Sequence, residues 1–385
     1  MKQRVYIYTL IDALGWSLVS GRGFLDDIMR VKTPVNTLLG FSSALIPSIL
    51  TGKTPAEHGH WNLFYLSRNG SSFKWLETLG VLPEFMIENR LSRKLIQKIA
   101  QKWSGYQGYF YFYDVPIRYL PYFDICEKHD IYQPHGIGNT LSIFDILVEE
   151  SVGYRCYNYH QFSDKGIFDE VREDLDSKDY TFLFLYLAEL DHFLHFHCKD
   201  AELVNKKLDW YEQRIRELYE SALKNYKEVS LTVFSDHGMT PITSHFDLMS
   251  EVEKLNLYAG KDYLPMYDST MARFWFFSQN AREQITASLI RLNVGRVLPK
   301  GELEGLGVYF PDGRYGELIF LMKPGCLIEP GFMGGKILQG MHGFHPEEPT
   351  SCAMFMTTEG NVSPPENVTG FFKLMRASIR PKVRV

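Results

Sequence analysis

The sequence of 385 residues contains few cysteines and no long apolar run, and each absence excludes a class of protein. Its five cysteines are scattered without a CxxC pair, and an odd number without framework spacing is typical of a reducing compartment. No apolar run approaches the roughly 20 residues that a membrane span needs. Residues 5–11 are too short for the apolar part of a signal peptide. We therefore predict a soluble, cytoplasmic protein without a transmembrane segment.

The chain also lacks an excess of basic residues. It has 41 Lys and Arg against 46 Asp and Glu, a formal net charge of -5. A nucleic-acid duplex is bound by a basic surface, so we predict no such partner. The exception is the C-terminal stretch 371–385, which has no acid and contains Lys373, Arg376, Arg380, Lys382 and Arg384. Such a run is usually a solvated terminal helix and tail, and the alternative is a weak contact with a membrane surface.

Three short apolar runs rich in β-branched and aromatic residues predict buried strands at 5–11, 180–187 and 229–234. Amphipathic segments between and after them predict helices, the clearest of them over residues 200–225. Helices that alternate with buried strands favour an α/β fold with a doubly wound, mainly parallel sheet. In such sheets, ligands bind at the carboxyl ends of the strands.

Two segments fit this alternation poorly. Residues 84–133 combine a basic helix at 90–102 with an aromatic run at 106–113, and residues 248–332 have a separate α+β pattern. We predict that both are insertions that cap the ligand edge of one domain spanning residues 1–385.

Acids and histidines follow the predicted strands at positions suited to metal binding. In chain order they are Asp12, Asp191 with His195 one helical turn later, the adjacent pair Asp236 and His237, and His342 in a glycine-flanked loop. Mixed Asp and His ligands suit zinc or manganese. Each residue alone is weak evidence, because an Asp after a strand is more often a turn or capping residue. Only the full set indicates a metal centre.

A candidate nucleophile lies in residues 40–59, where Ser42 and Ser43 precede a predicted helix. The amino end of a helix carries a positive backbone field that favours an anion such as phosphate. A nearby cation would lower the pKa of a serine hydroxyl there and make it a usable nucleophile.

Together these elements resemble the motifs of the alkaline phosphatase superfamily, particularly its type I phosphodiesterase/nucleotide pyrophosphatase branch. The nucleophile of that branch lies nine residues before a Thr-Gly dipeptide, and counting back from Thr51-Gly52 selects Ser42 over Ser43. The remaining motifs of the branch follow the same order in this chain, at Asp12, Pro55, His58-Gly59, Asp191 with His195, Ser235 to Gly238, and Gly340 to Gly343.

The resemblance implies an alkaline phosphatase-like fold, two divalent ions, a serine nucleophile and a phosphoseryl intermediate that water then hydrolyses. Zinc is the first choice for both ions and manganese the second. By this resemblance one ion is held by Asp191, His195 and His342, and the other by Asp12, Asp236, His237 and the Ser42 hydroxyl. Asn62 is the expected partner of a non-bridging phosphate oxygen, although it lies 20 residues after Ser42 where the branch has 21.

The residues beside the nucleophile bear on the substrate class. The branch has Phe-Pro-Asn after the nucleophile, whereas Ser43-Ala44-Leu45 stands here, and Ile46 occupies the position of the sulfatase arginine. Phosphomonoesterases need cations for a dianionic phosphoryl group. We therefore expect a small-molecule phosphodiester or nucleotide-type substrate. A monoesterase would require an inserted arginine, for which the candidates are Arg90, Arg93 and Arg273.

Two further activities are alternatives. The same core could transfer a phosphoryl-linked headgroup to a glycan or lipid instead of to water. A more distant alternative is a metal-free serine hydrolase, because residues 40–44 are close to the G-x-S-x-G nucleophile motif. That alternative leaves Asp12, Asp191 and His342 without a role, and Pro47 makes its helix register awkward. The aromatic stretch 106–123 either stacks a nucleobase, covers a lipid or glycan carrier, or forms the cap's own core.

Overall fold

A computed structural model of the chain describes residues 2–177, 180–334 and 337–379. The strands in these residues are β1 (Lys2–Ile11), β2 (Val31–Val35), β3 (Phe64–Leu66), β4 (Phe123–Ile125), β5 (Tyr154–Tyr157), β6 (Phe182–Leu187), β7 (Tyr226–Phe234), β8 (Thr240–Pro241), β9 (Ser244–Phe246), β10 (Tyr263–Tyr267), β11 (Met271–Phe276), β12 (Gly295–Val297), β13 (Leu318–Met322), β14 (Cys326–Ile328), β15 (Gly340–Met341) and β16 (Ala353–Thr357).

The α-helices of the same residues surround and connect these strands. They are α1 (Trp16–Val19), α2 (Ser42–Thr51), α3 (Pro55–His58), α4 (Glu84–Ile87), α5 (Arg90–Ser104), α6 (Ile143–Glu149), α7 (Asp164–Ser177), α8 (Glu189–His197), α9 (Ala201–Asn225), α10 (Leu248–Glu253), α11 (Gln279–Ile290), α12 (Lys300–Gly305) and α13 (Gly370–Ala377). None of the helices in the described part of the chain is long and apolar enough to cross a bilayer.

A six-stranded sheet with the strand order β2-β16-β7-β1-β6-β5 forms the centre of the molecule. Strands β5, β6, β1 and β7 are parallel neighbours, and β16 runs antiparallel to both β7 and β2. The predicted α/β fold with a mainly parallel sheet is therefore confirmed. Both faces of the sheet are covered, which explains why β6 reads as the continuous apolar run FLFLYL.

Alternation along the strands divides the core between the two faces of the sheet. In β6, Leu183 and Leu185 point into a cluster with apolar residues of α7 and α9, whereas Phe184 points into a cluster with α2, α6 and α13. Because side chains alternate along a strand, one apolar run serves both clusters. This packing fixes the carboxyl edge of the sheet, where β1 and β6 end side by side through the Ile11–Leu187 pair.

The residues predicted to be insertions form structure outside the central sheet. Strands β10, β11, β13 and β12, in that order, form an antiparallel four-stranded sheet within residues 248–332. In the run 106–113, Tyr106, Phe110 and Phe112 are buried in the core of this region, while Tyr109, Tyr111 and Tyr113 line a cavity. The division into one domain with two caps stays a prediction.

A buried ion pair joins the four-stranded sheet to its surroundings. Arg273 on β11 is 0% exposed, and its Nε donates to Asp268 Oδ2 at 2.7 Å. Its Nη1 donates to the carbonyl oxygens of Phe64 and Tyr315, at 2.9 and 3.3 Å. The Arg273 guanidinium therefore donates to acceptors of the protein itself, which leaves it less able to bind a substrate.

Replacement of Arg273 by Met should destabilise the fold by about 3–5 kcal/mol, because it leaves the Asp268 carboxylate buried without its partner. Chemical denaturation of the two proteins measures this difference. The double variant Arg273→Met, Asp268→Leu should recover a large part of the loss, since both charges are then absent. A loss below about 1 kcal/mol in the single variant would contradict the structural role of the pair.

Candidate active site at the carboxyl edge of the sheet

The candidate metal ligands converge at the carboxyl edge of the central sheet. Asp12 directly follows β1, Asp236 follows β7 by two residues, and Asp191 lies on α8 just after β6. His342 comes directly after β15, which pairs with β8 downstream of the Asp236 loop. Parallel strands whose ends lie side by side therefore bring together residues that are far apart in the sequence.

One group consists of Asp191, His195 and His342, whose ligand atoms lie within 4.8 Å of one another. Asp191 and His195 are one turn apart on α8, with Oδ2 and Nε2 separated by 3.2 Å. Asp191 Oδ1 lies 3.4 Å from His342 Nε2. The Asp191 carboxylate thus faces one histidine with each oxygen, which is the set of three that the resemblance implied.

The second group lies beside the first. Its closest ligand atoms belong to Asp12, Asp191 and His237, again within 4.8 Å. His237 Nε2 lies 3.3 Å from Asp12 Oδ1, 3.3 Å from Asp236 Oδ2 and 3.4 Å from the Ser42 hydroxyl. Asp191 therefore belongs to both groups, whereas the resemblance had placed it in the first set only, with Asp12, Asp236, His237 and Ser42 in the second.

Backbone carbonyl groups orient the two outer histidines. The Nδ1 atom of His195 lies 2.9 Å from the Gly340 oxygen, and that of His237 lies 2.8 Å from the Gly238 oxygen. A carbonyl only accepts hydrogen bonds, so each ring donates from Nδ1, and the neutral form of each ring has its lone pair on Nε2. This is the arrangement of histidines that bind a metal ion through Nε2.

Several buried carboxylate oxygens have no hydrogen-bond donor within the described residues. They are Asp12 Oδ1, Asp191 Oδ1 and Asp236 Oδ2. A buried carboxylate oxygen without a partner is costly, because desolvation is not compensated. Three such atoms facing the imidazole lone pairs make a donor set that fits divalent cations.

The pKa values of these groups follow from burial and mutual proximity. Burial beside Asp12 raises the pKa of the Asp236 carboxyl to about 8. Burial alone would lower the pKa of His237, but the Asp236 and Asp12 carboxylates raise it to about 10. Burial opposes ionisation of Asp191 as well, yet His195 and His342 hold its pKa below the usual range. Positive charge near this cluster would therefore stabilise its ionised carboxylates.

The structure distinguishes the two serines of the nucleophile motif. Ser42 is the first residue of α2, and its hydroxyl faces His237 and lines the cavity at the metal-ligand cluster. The Ser43 hydroxyl instead donates to the Trp61 carbonyl at 3.4 Å. Asn62 is buried at the cavity wall, where its Oδ1 has no hydrogen-bond partner within the described residues.

A cavity of about 680 Å³ opens above these residues. On one side, Tyr132, Tyr159 and Tyr186 form a cluster of rings with centroids 5.5–6.3 Å apart, and the Tyr186 hydroxyl donates to Asp12. On the other side lie Tyr109 and Tyr113, whose hydroxyl groups are 2.8 Å apart. The wall is therefore formed largely by tyrosine rings.

Within the part of the chain that the structure describes, the residues that line this cavity include no Lys or Arg. They do include several acids besides the metal-ligand set, namely Asp114, Glu127, Asp268 and Glu329. The three arginines named as candidate phosphate partners are all absent from the wall. Arg273 is paired with Asp268, Arg93 binds Glu88 and the Tyr113 carbonyl, and Arg90 is exposed on α5.

Sequence reasoning named the aromatic stretch 106–123, which contains Tyr109, Tyr111 and Tyr113, but it missed Tyr132, Tyr159, Tyr186 and Glu127. Tyr186 was visible only as an apolar position of a buried strand, although its place next to the strand end was a usable signal. Glu127, Tyr132 and Tyr159 lie in irregular segments whose direction no periodic pattern reveals. Their approach to the site depends on the tertiary fold.

Fold and site together define a hydrolase of the alkaline phosphatase superfamily. The model of the type I phosphodiesterase/nucleotide pyrophosphatase family matches residues 40–345, and the chain belongs to that family. The recognition of the superfamily and of a phosphoric ester hydrolase is thereby confirmed. No curated protein matches the sequence at a significant level.

Solved structures of similar fold include ectonucleotide pyrophosphatase/phosphodiesterase 5 from mouse and human. The murine protein superposes with a TM-score of 0.67 at 16% identity, over 98% of this chain and 95% of that chain. An inactive murine variant in complex with AMP gives the same values. The human protein gives a TM-score of 0.67 at 14% identity, over 98% and 95%. At these identities the likeness shows the fold.

Asp191 should be the residue on which metal binding depends most, because its carboxylate belongs to both ligand groups. Added zinc should raise the melting temperature of the chelator-treated protein, since an ion that binds only the folded state stabilises it. We expect Asp191→Asn to abolish this increase and His195→Ala to retain part of it. Differential scanning fluorimetry measures the shifts. An undiminished zinc response in Asp191→Asn would refute the shared role.

Glu127 should make stability fall as the pH rises towards neutrality. Burial raises its pKa to about 7 from an ordinary value of 4.5, with the Asp130 carboxylate adding to the shift and the Tyr109 amide opposing it. The tyrosines facing it, Tyr132 and Tyr159, stay uncharged because burial raises their pKa values. A raised carboxyl pKa means that the unfolded chain ionises first, so stability is lost between about pH 4.5 and pH 7.

The variant Glu127→Gln cannot ionise at this position. In chelator-treated protein, its stability relative to the original chain should therefore increase by about 2 kcal/mol between pH 5 and pH 8. Urea denaturation measures the free energy of unfolding of both proteins at the two pH values. The contributions of the other titrating groups largely cancel when the two proteins are compared at the same pH. A difference that is the same at both pH values would show that Glu127 ionises normally.

Proposed function

We propose that the protein is a phosphodiesterase that uses two divalent ions and Ser42 as its nucleophile. The observation that carries this proposal is the position of the Ser42 hydroxyl at the amino end of α2, 3.4 Å from His237 Nε2. The same nitrogen faces oxygens of Asp12 and Asp236 that have no hydrogen-bond donor among the described residues. Zinc is the preferred ion because the donor set mixes carboxylates with imidazoles, and manganese is the alternative.

The residues divide into two ligand sets and a nucleophile. Asp191, His195 and His342 would hold one ion, and Asp12, Asp236 and His237 the other. When bound, the ions supply positive charge that lowers the pKa of the serine hydroxyl and neutralises the phosphoryl group. The shared carboxylate of Asp191 keeps the two sets adjacent, so that a single phosphoryl group can face both.

Ser42 performs the covalent step in this proposal. Its Oγ attacks phosphorus in line with the ester oxygen that leaves, so the Oγ–P bond forms as the bond to the leaving alcohol breaks. The hydroxyl proton is released from Ser42, and the alcohol takes up a proton on leaving. Water then cleaves the phosphoseryl ester from the vacated side and regenerates the Ser42 hydroxyl. The amino end of α2, where Ser42 and Ser43 begin the first turn, would favour the phosphoryl oxygens through its positive backbone field.

Asn62 would bind a non-bridging phosphate oxygen. Its side chain is buried at the cavity wall, and its amide nitrogen has only a weak contact of 3.8 Å with Met271 Sδ. The amide can therefore donate to a substrate oxygen without breaking a strong bond. This assignment rests on position in the cavity together with the family resemblance.

The charge of the cavity favours a diester over a monoester. A phosphomonoester brings a second negative charge, for which the described cavity wall offers no Lys or Arg. A nucleoside triphosphate carries still more negative charge. In this cavity its phosphate groups would face the carboxyl groups of Asp114, Glu127 and Glu329 rather than basic side chains. The tyrosine rings suit a flat or apolar substituent, and the AMP complex of the murine relative supports a nucleotide-type ligand.

Three chromogenic esters test the proposed substrate class. We expect bis-p-nitrophenyl phosphate and the p-nitrophenyl ester of thymidine monophosphate to be hydrolysed at least tenfold faster than p-nitrophenyl phosphate. Chelation should abolish all three activities, and zinc or manganese should restore them. Faster turnover of the monoester would contradict the diester assignment. Hydrolysis that survives chelation would exclude the metal-dependent mechanism.

Ser42→Ala should reduce diester turnover by at least about 10³-fold, because the covalent route is lost. Ser43→Ala is the matched control, since that hydroxyl faces the Trp61 carbonyl and its loss should change kcat less than about fivefold. Zinc-dependent melting shifts establish that both variants keep the metal site. Equal losses in the two variants would show that the assignment of the nucleophile is wrong.

A further inference from the structure

An unusual concentration of exposed apolar side chains lies between residues 81 and 103. Among the large apolar residues exposed in the described chain, this segment contributes Val81, Leu82, Phe85, Met86, Leu91, Leu95 and Trp103. Val81, Leu91 and Phe85 are 86%, 80% and 77% exposed. Scattered exposed residues need no explanation, but a cluster of this size marks an interaction site.

The helix in this segment, α5, is also strongly basic. Its sequence RLSRKLIQKIAQKWS contains no acid. Lys94, Lys98 and Lys102 are exposed and form no ion pair within the described residues. Helix α9 differs, because its Lys206, Arg214 and Arg216 pair with glutamates. Arg93 pairs with Glu88, whereas the three lysines of α5 have no ion-pair partner among the described residues.

The apolar and basic residues of α5 share one face of the helix. At about 100° per residue, Lys94, Lys98, Leu91, Lys102 and Leu95 fall within an arc of about 100°. The opposite face carries the buried Ile96 and Ala100. An exposed face that combines leucines with lysines is typical of a helix that lies in a membrane interface.

The inner face of α5 holds part of the cavity wall. Arg93 donates to the carbonyl oxygens of Tyr113 and Val115, and Gln97 Oε1 accepts from the Phe112 amide at 3.1 Å. Tyr113 lines the cavity of the candidate active site. The outward face of α5 is therefore separated from the cavity wall by the thickness of this one helix.

We propose that α5 and the preceding residues 81–86 form a docking surface for an anionic lipid membrane. The exposed lysines complement anionic headgroups, while Phe85, Leu91 and Leu95 enter the boundary between headgroups and acyl chains. A lipid surface is the occupant because it satisfies both features at once, whereas the exposed apolar residues have no counterpart on a nucleic-acid backbone. The proposal does not depend on the identity of the nucleophile or of the substrate.

Vesicle cosedimentation of the full chain tests the proposal. The protein should bind vesicles that contain phosphatidylcholine and phosphatidylglycerol, and it should bind vesicles of phosphatidylcholine alone at least about tenfold more weakly. Binding to the anionic vesicles should decrease as salt increases, because the Debye length shortens. Absence of binding to anionic vesicles, or equal binding to both kinds, would overturn the proposal.

Variants separate the two contributions. Lys94→Glu, Lys98→Glu and Lys102→Glu together should weaken anionic-vesicle binding by at least about tenfold, and Leu91→Glu with Leu95→Glu should do the same. The matched control is Leu203→Glu with Leu223→Glu on α9, which also replaces exposed leucines and should leave binding unchanged. Circular dichroism and the rate of soluble diester hydrolysis show whether each variant is folded.

Two other results would overturn the assignment of the surface. Loss of binding in Lys373→Glu with Arg376→Glu, but not in the α5 variants, would transfer the contact to the basic C-terminal stretch. Of that stretch, residues 380–385 lie outside the described residues. A dimeric mass by light scattering that the α5 variants convert to monomer, without vesicle binding, would show that a second copy of the chain covers the surface.

Discussion

The site depends on three carboxylates, Asp12, Asp191 and Asp236, that converge on a few histidines and that each have a buried oxygen without a hydrogen-bond donor among the described residues. Like charges in a low-dielectric interior repel strongly, and each loses its hydration. Among the described residues no lysine or arginine lines the cavity at this place, and three histidines are the nearest partners of the carboxylates. Positive charge supplied from outside the chain would therefore stabilise this arrangement. Cations that bind only the folded sheet edge would therefore increase the free energy of unfolding.

The central sheet and the convergence of the candidate metal ligands were accessible from the sequence, because each depends on a short, regular pattern. Buried parallel strands read as apolar runs, and residues at their carboxyl ends must meet at one edge of the sheet. This reasoning located Asp12 after β1 and Asp236 after β7 without a structure. The choice between Ser42 and Ser43 required the family register, and the contact of Ser43 with Trp61 agrees with it.

The cavity was not accessible in the same way. Glu127, Tyr132 and Tyr159 reach it from irregular segments, and only tertiary packing decides their direction. The sequence also does not decide the role of Arg273, because an arginine in a strand can bind a substrate phosphate or pair with a buried carboxylate of the protein. Its ion pair with Asp268 shows the second outcome. The cytoplasmic location and the division into caps remain predictions from the sequence.

The most direct test of the two-ion account is anomalous X-ray diffraction from crystals of the zinc-loaded protein. The account predicts two anomalous peaks, one within bonding distance of Asp191, His195 and His342, and one beside Asp12, Asp236, His237 and the Ser42 hydroxyl. Ligand distances near 2.0–2.2 Å are expected for both ions. A single peak, or zinc bound only at surface residues, would contradict the account.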